Sequence, residues 1–221
     1  MHAFEQFIIK EQSLCLSTDR SIYWEQQNAL IVSDLHFGKT GHFRKAGIAV
    51  PQSLYKEDIQ RLFSLVQYFK PATLIVVGDM FHSHANKELE LFSKWRNDLA
   101  ALKIQLIRGN HDILKRRWYE ENDIEIFDKT LKINGFCFQH DPADCRKEEN
   151  EAPSYVFSGH IHPAITINGL GKQSLKFPCF YFTDTQCILP AFSRFTGTVS
   201  VHRKEDEVAF AIVNNSIVKI G

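Results

Sequence analysis

The sequence predicts an α/β protein with two sheets, and three observations point there. Apolar runs at 29–32, 73–77 and 104–107 each end in a polar segment and are separated by stretches of helical periodicity, the pattern of parallel strands wound with helices. After residue 123 helical spacing mostly stops and short β-rich runs follow, which reads as a second, largely antiparallel sheet packed against the first. No internal repeat or low-complexity linker breaks the 221 residues, so 1–221 reads as one domain.

Taken in order, residues 4–33 carry F-I-I, L-C-L, I-Y-W and A-L-I-V, with Gln26-Gln27-Asn28 as a turn, a meander feeding the first wound strand. From Pro51, apolar Tyr55, Ile59, Leu62, Phe63, Val66 and Phe69 recur at helical spacing, with Pro71 as the stop. The run T-L-I-V-V at 73–77 is a buried strand entering Gly78-Asp79. Phe92, Trp95, Leu99 and Leu102 form the apolar stripe of a helix over 87–102. I-Q-L-I at 104–107 then leads into Gly109-Asn110-His111-Asp112. Strands are expected at 129–133, 136–139, 154–158, 164–167, 179–182, 186–189, 198–202 and 207–213. Residues 141–153 read as a solvated, charge-mixed loop, with a mobile cover over a site as the sharper alternative.

Composition narrows the classes. Twenty-six basic and 26 acidic residues cancel, so no global field draws the chain to nucleic acid or an anionic membrane, and any such partner needs a local patch. The start, M-H-A-F-E-Q-F-I-I-K, lacks the basic and long apolar regions of a secretory signal, and no run is long enough for a membrane helix. The expectation is a soluble, cytoplasmic protein. Five cysteines without a C-x-x-C pair argue against a disulfide framework or a thiolate zinc site.

The chemistry sits at strand ends. The first is I-V-S-D-L-H-F-G-K at 31–39, where an extended backbone would point Asp34 and His36 to one side and let them share a partner. Alone, Asp-x-His is more often a helix cap with a surface histidine. Four further segments change that balance: Gly78-Asp79-Met80-Phe81-His82, Gly109-Asn110-His111-Asp112, Gln139-His140-Asp141-Pro142 and Gly159-His160-Ile161-His162-Pro163. Carboxylates, imidazoles and one amide suit a borderline or hard divalent ion, and there are too many for one. Two ions about 3.5–4 Å apart would use them all.

The order D-x-H, G-D, G-N-H-D, H, G-H-x-H over residues 34–162 resembles the calcineurin-like metallophosphoesterase superfamily. Lys39, His42-Phe43-Arg44, Gly47, Pro51, Phe81-His82-Ser83, His140-Asp141-Pro142, Leu189-Pro190-Ala191-Phe192 and Phe195-Thr196-Gly197 are similar to its ligase-associated DNA damage response (PdeM-type) phosphoesterases. Gln139 stands where many superfamily members carry glycine. The resemblance implies a four-layer αββα sandwich of two mixed sheets flanked by helices. It implies that Asp34, His36, Asp79 and His162 hold one metal, with Asp79 bridging to a second held by Asn110, His140 and His160. His111 would face the phosphate and protonate or stabilise the leaving oxygen, with Asp112 orienting its ring. The implied mechanism is in-line attack by a metal-bridging hydroxide, with no protein nucleophile. Manganese is the foremost metal, and iron, zinc or nickel fit the same donors.

For substrate binding, Lys39 and Arg44 are the residues shared with the narrower family, and His82 is placed beside the site, with a structural histidine as the plainer reading. Lys115, Arg116 and Arg117 offer a second basic rim, or simply a solvated face. Three functions stay open: a two-metal phosphodiesterase acting on DNA in repair, a hydrolase of nucleotides or small phosphoesters, and a non-catalytic metal-binding scaffold. The resemblance points to a DNA ligase and helicase as functional neighbours.

Overall fold

A computed structural model describes residues 3–39, 47, 53–82, 87–144, 154–169 and 173–221. His42, Arg44, Lys45, Pro51, Ser83 and most of the 141–153 loop lie outside the described residues. The first sheet has seven strands in sequence order, β1 (Phe4–Ile9), β2 (Gln12–Ser17), β3 (Ser21–Trp24), β4 (Ala29–Val32), β5 (Thr73–Val77), β6 (Lys103–Ile107) and β7 (Ile124–Phe127). The meander of β1 to β4 is antiparallel, and β4 to β7 are parallel. Between β3 and β4 a short 3-10 turn ends on Asn28 in the left-handed conformation, the turn expected there.

Strand alternation sorts the first sheet's side chains into two layers. Leu30, Val32, Leu74, Val76, Ile104 and Leu106 face one way and meet helices α1 (Ser53–Phe69), α2 (Lys87–Asp98) and α3 (Arg116–Glu121) through Leu62, Leu65, Phe92 and Tyr119. Ile31, Ile75, Val77 and Ile107 face the other way, into the core shared with the second sheet. Because both faces are covered, these strands read as unbroken apolar runs. Trp24, fully buried, sits in that inter-sheet core against Phe136 at 4.7 Å.

The second sheet runs β14 (Val199–Ser200), β11 (Pro163–Asn168), β12 (Ser174–Phe182), β13 (Gln186–Ile188), β10 (Tyr155–Ser158), β9 (Phe136–Gln139) and β8 (Thr130–Ile133), with β15 (Val208–Val213) on β12 and β16 (Ser216–Ile220) on β15. It is largely antiparallel, as expected, with five antiparallel pairings, but mixed: β10 pairs parallel with both β9 and β13, and β11 with β14. A parallel pair needs a crossover of a dozen or more residues, and the long segment between β9 and β10 supplies one. Two mixed sheets with helices on the outer face of the first make the expected α/β sandwich. The outer face of the second carries a smaller strand-built cluster around Ile165, Cys179 and Ala209.

Three elements escaped the sequence reading: α3, β7 and β16. Helix α2 also stops at Asp98, and Leu99 and Leu102 follow in tighter turns, while Leu102 still packs into the helix-side core. No described helix is long and apolar enough to cross a membrane.

Candidate active site

All five polar segments gather at one end of the two sheets, because the loops are stitched to one another. After β4, Asp34 N donates to Gly78 O (3.1 Å), His36 N to Asp79 O (2.9 Å) and Phe37 N to Met80 O (2.9 Å), zipping the first loop to the second. His111 N donates to Asp79 Oδ1 at 2.9 Å, bringing in the third. Gly159 N reaches His140 O at 3.1 Å, and His160 N reaches Asp34 Oδ2 at 3.2 Å, joining the second sheet's loops to the first.

The backbone there is unusual for side-chain-bearing residues. Asp34, His36, Asp79, His160 and His162 all have φ between 49° and 66°, the left-handed region that costs non-glycine residues energy. Asp34 and His36 therefore do converge, but not through the extended alternation expected from sequence, since β4 ends at Val32. Gly78 is required twice over. Its φ is +80°, and a Cβ there would lie 1.9 Å from His140 Nδ1 across the sheet junction.

Two clusters of donor atoms result. Asp34, His36 and His162 bring ligand atoms within 4.8 Å of one another, and so do Asp34, Asp79 and His140. In the first cluster, His162 Nδ1 donates to Gly197 O at 3.1 Å, leaving Nε2 to face Asp34 Oδ1 at 3.2 Å. Among the described residues neither atom has a hydrogen-bond partner, and neither ring nitrogen of buried His36 has one. Orphaned buried acceptors of this kind are costly unless a cation meets them. In the second, His140 Nδ1 faces Val77 O at 3.3 Å and must donate to it, so Nε2 is the nitrogen left for the site. That Nε2 lies 3.2 Å from Asn110 Oδ1, 3.1 Å from His160 Nδ1 and 3.5 Å from Asp79 Oδ2. The residues present thus fit divalent cations: oxygen and imidazole donors converge, and the opposite ring nitrogens of His140 and His162 are already fixed by backbone carbonyls. Gln139 turns its amide to Asp141 O, so the residue standing in for glycine leaves His140 in place.

Electrostatics agree with that packing. Burial pulls His36 down to about 3, keeping it a neutral imidazole. Burial alone would raise Asp79, but His140 and the His111 N–H outweigh it and lower it to about 2. Burial likewise opposes charge on His140, yet Asp79 and Asp34 lift it to about 9, so in the absence of a cation a proton takes the cation's place.

His111 sits beside both clusters without joining them: its Nε2 is 4.0 Å from Asp79 Oδ2 and its side chain is 41% exposed. The His82 ring packs on it at a 36° tilt with centroids 4.1 Å apart, and both rings lie near His36. Asp112 does not orient His111. Its Oδ1 accepts from Phe81 N and its Oδ2 from Gly109 N, both at 2.9 Å, so its carboxylate braces the loop backbone instead. Burial pushes Asp112 up to about 7 against those two N–H groups.

Beside the first cluster lies a cleft of about 310 Å³ lined by Lys39, Arg194, Phe195, Thr196 and Gly197. Burial lowers Lys39 from its ordinary value, with Asp79 and Asp34 opposing. The expected rim at 115–117 is instead paired locally: Arg116 with Asp128 at 3.0 Å, Arg117 with Glu121 at 2.7 Å. Arg194 escaped the sequence reading. Its signal was a basic residue between Phe192 and the quoted Phe195-Thr196-Gly197 stretch.

The calcineurin-like phosphoesterase pattern matches residues 28–139, just over half of the chain. The chain belongs to that family. As a calcineurin-like phosphoesterase it is a metal-dependent phosphoester hydrolase, and the matched span holds the loops after β4, β5 and β6. The Pseudomonas putida nuclease MPE is 27% identical, with a TM-score of 0.82 over 99% of this chain and 100% of that one. A protein of unknown function from Aquifex aeolicus is 21% identical over 65% of this chain and 82% of that one, with a TM-score of 0.40. No curated protein matches the sequence.

Proposed function

We propose that this phosphoesterase is a two-metal phosphodiesterase acting on nucleic acid, with DNA foremost. The observation that carries the reading is the pair of convergent lone-pair clusters, one around Asp34, His36 and His162, the other around Asp79, Asn110, His140 and His160. The resemblance implies that Asp79 bridges the two; its Oδ2 lies 3.5 Å from His140 Nε2, and Asp34 is the residue common to both donor groups. Two divalent cations, manganese foremost, would supply an activated water and offset charge on the phosphate oxygens.

The chain's own residues do the rest. Asp34, Asp79 and Asn110 supply oxygen donors, and carbonyls behind His140 and His162 turn the other ring nitrogen of each toward the clusters. His111, half-exposed at the edge of the clusters, is placed to donate a proton to the leaving oxygen. His82, packed on its ring, restricts the directions it can adopt and stands beside the phosphate position. Lys39 offers a positive charge on the cleft side, and Arg44 is assigned the same task from sequence alone. Polymer is favoured over a small ester because the cleft adjoining the clusters carries Lys39 and Arg194, and because the Pseudomonas putida relative is a nuclease. A repair setting, with a DNA ligase and helicase as neighbours, is the partner class implied by the PdeM-type resemblance.

The reading is tested by hydrolysis of bis-p-nitrophenyl phosphate, p-nitrophenyl phosphate and a labelled single-stranded oligonucleotide by manganese-loaded protein, with Asp79→Asn as control. Cleavage of the oligonucleotide that vanishes in the control supports it. Turnover of the small esters alone shifts the assignment to a small-phosphoester hydrolase. No cleavage with any divalent metal leaves the scaffold.

A further inference from the structure

We infer that Arg194 determines specificity by holding a phosphate next to the scissile one, so that the cleft between Lys39 and residues 194–197 is a subsite for the nucleic-acid strand. This rests on the nucleic-acid reading above and adds a residue and a location to it.

Both walls of the cleft are tied to the Asp34, His36 and His162 cluster. Lys39 N donates to His36 O at 3.1 Å, and Gly197 O accepts from His162 Nδ1 at 3.1 Å. A diester bound at that cluster therefore sends one of its chain directions into the cleft. The wall bearing Arg194 is a strap, residues 189–197, hydrogen-bonded along its length to the site loops. Leu189 N donates to Ser158 O (2.8 Å), Phe192 N to Ser33 O (2.7 Å) and Ser193 N to Asp34 O (3.1 Å), while Val199 N just beyond donates to His162 O (3.0 Å).

Two further arginines hold the strap from beneath. Arg20 Nη1 donates to Ala191 O at 3.0 Å and Ser193 O at 2.9 Å. Buried Arg61 donates to Phe192 O, lies 4.1 Å over the Phe192 ring and pairs with Asp58 at 3.1 Å. Those guanidiniums are spent on backbone carbonyls and a carboxylate. Arg194 differs: it is exposed and lines the cleft, Asp58 takes only its backbone N–H, and no carboxylate among the described residues pairs with its guanidinium. A planar guanidinium on a pre-organised strap suits a phosphate, which it can grip with two parallel N–H donors. A small ester such as bis-p-nitrophenyl phosphate has no second phosphate to offer, so the contact separates polymer from small substrate.

The test is fluorescence anisotropy of a labelled single-stranded oligonucleotide with protein kept in EDTA, across a salt series, for wild type, Arg194→Ala, Arg194→Lys and the charge-matched Lys219→Ala on β16. Arg194→Ala is expected to bind roughly ten-fold more weakly, with a salt slope lower by about 0.7. Arg194→Lys should recover the slope but not the full affinity, and Lys219→Ala should match wild type. In manganese-loaded protein, Arg194→Ala should raise KM for the oligonucleotide far more than for bis-p-nitrophenyl phosphate. Unchanged affinity and slope in Arg194→Ala overturns the assignment. So does a wild type that hydrolyses the small diester but binds no oligonucleotide, which leaves the phosphodiesterase itself intact. A wild type that hydrolyses neither substrate, yet shows the expected anisotropy differences, overturns the catalytic reading and upholds the subsite.

Discussion

His140 Nε2 and His160 Nδ1 approach to 3.1 Å, although His140 must already spend its Nδ1 proton on Val77 O. Asn110 Oδ1 stands 3.2 Å from the same Nε2. Acceptors crowded in this way repel unless a proton or a cation lies between them, which supports the proposal that this corner holds a metal.

Removing one imidazole from that corner should empty one site and spare the other. His160→Ala is expected to retain about half the wild-type manganese, because the Asp34, His36 and His162 donor group does not include it. Metal analysis after gel filtration reads this directly. Full retention, or loss of both ions, would contradict the division into two clusters.

His111 should behave differently. It lies outside both clusters, so His111→Ala is expected to keep its metal while turnover falls about 10²- to 10⁴-fold, the usual scale of general acid catalysis. Metal content and steady-state rates measured on the same preparation separate the two roles. A parallel fall in both would make His111 a ligand.

Gly78→Ala probes the junction of the sheets. A Cβ there meets His140 Nδ1 at 1.9 Å and the backbone stays at φ +80°, so either the strand end or the imidazole must move. The expected outcome is a loss of about 1–3 kcal/mol in urea unfolding together with weakened metal binding. Wild-type values for both would show the junction to be softer than its geometry implies.

Trp24 tests the core independently of the site. It is fully buried against Phe136 and Phe138, and its Nε1 donates to Gln12 Oε1 at 2.8 Å. Trp24→Ala should cost about 3–5 kcal/mol by denaturant titration, a cavity effect that leaves the ligand loops intact. A cost under about 1 kcal/mol would mean the two sheets do not share this core as described.

The parts of this fold that were legible in sequence are those where one physical rule acts locally. The unbroken apolar runs of β4, β5 and β6 follow from burial on both faces, and the glycines and histidines after them mark the loops. Legibility failed where non-local pairing decides. β9, β10 and β13 look like any short strands, and nothing local says that they align in parallel. The left-handed backbone at Asp34 and His36 was invisible too, because hydrogen bonds from the neighbouring loop impose it against those residues' own preference. Asp112 misled for a related reason. Its neighbour in sequence is His111, but its partners are the N–H groups of Phe81 and Gly109. Arg194 went unnoticed because its meaning depends on a strap whose anchors, Arg20 and Arg61, lie far away in the chain.

The central claim is that two cations held by these side chains drive phosphodiester hydrolysis. Its most direct test is to titrate metal-free protein with manganese while following bound metal and bis-p-nitrophenyl phosphate hydrolysis together. The account expects activity to rise with occupancy and level off at two ions per chain, and to be absent in Asp79→Asn. Full activity at one ion, or hydrolysis that persists in the metal-free protein, would contradict it.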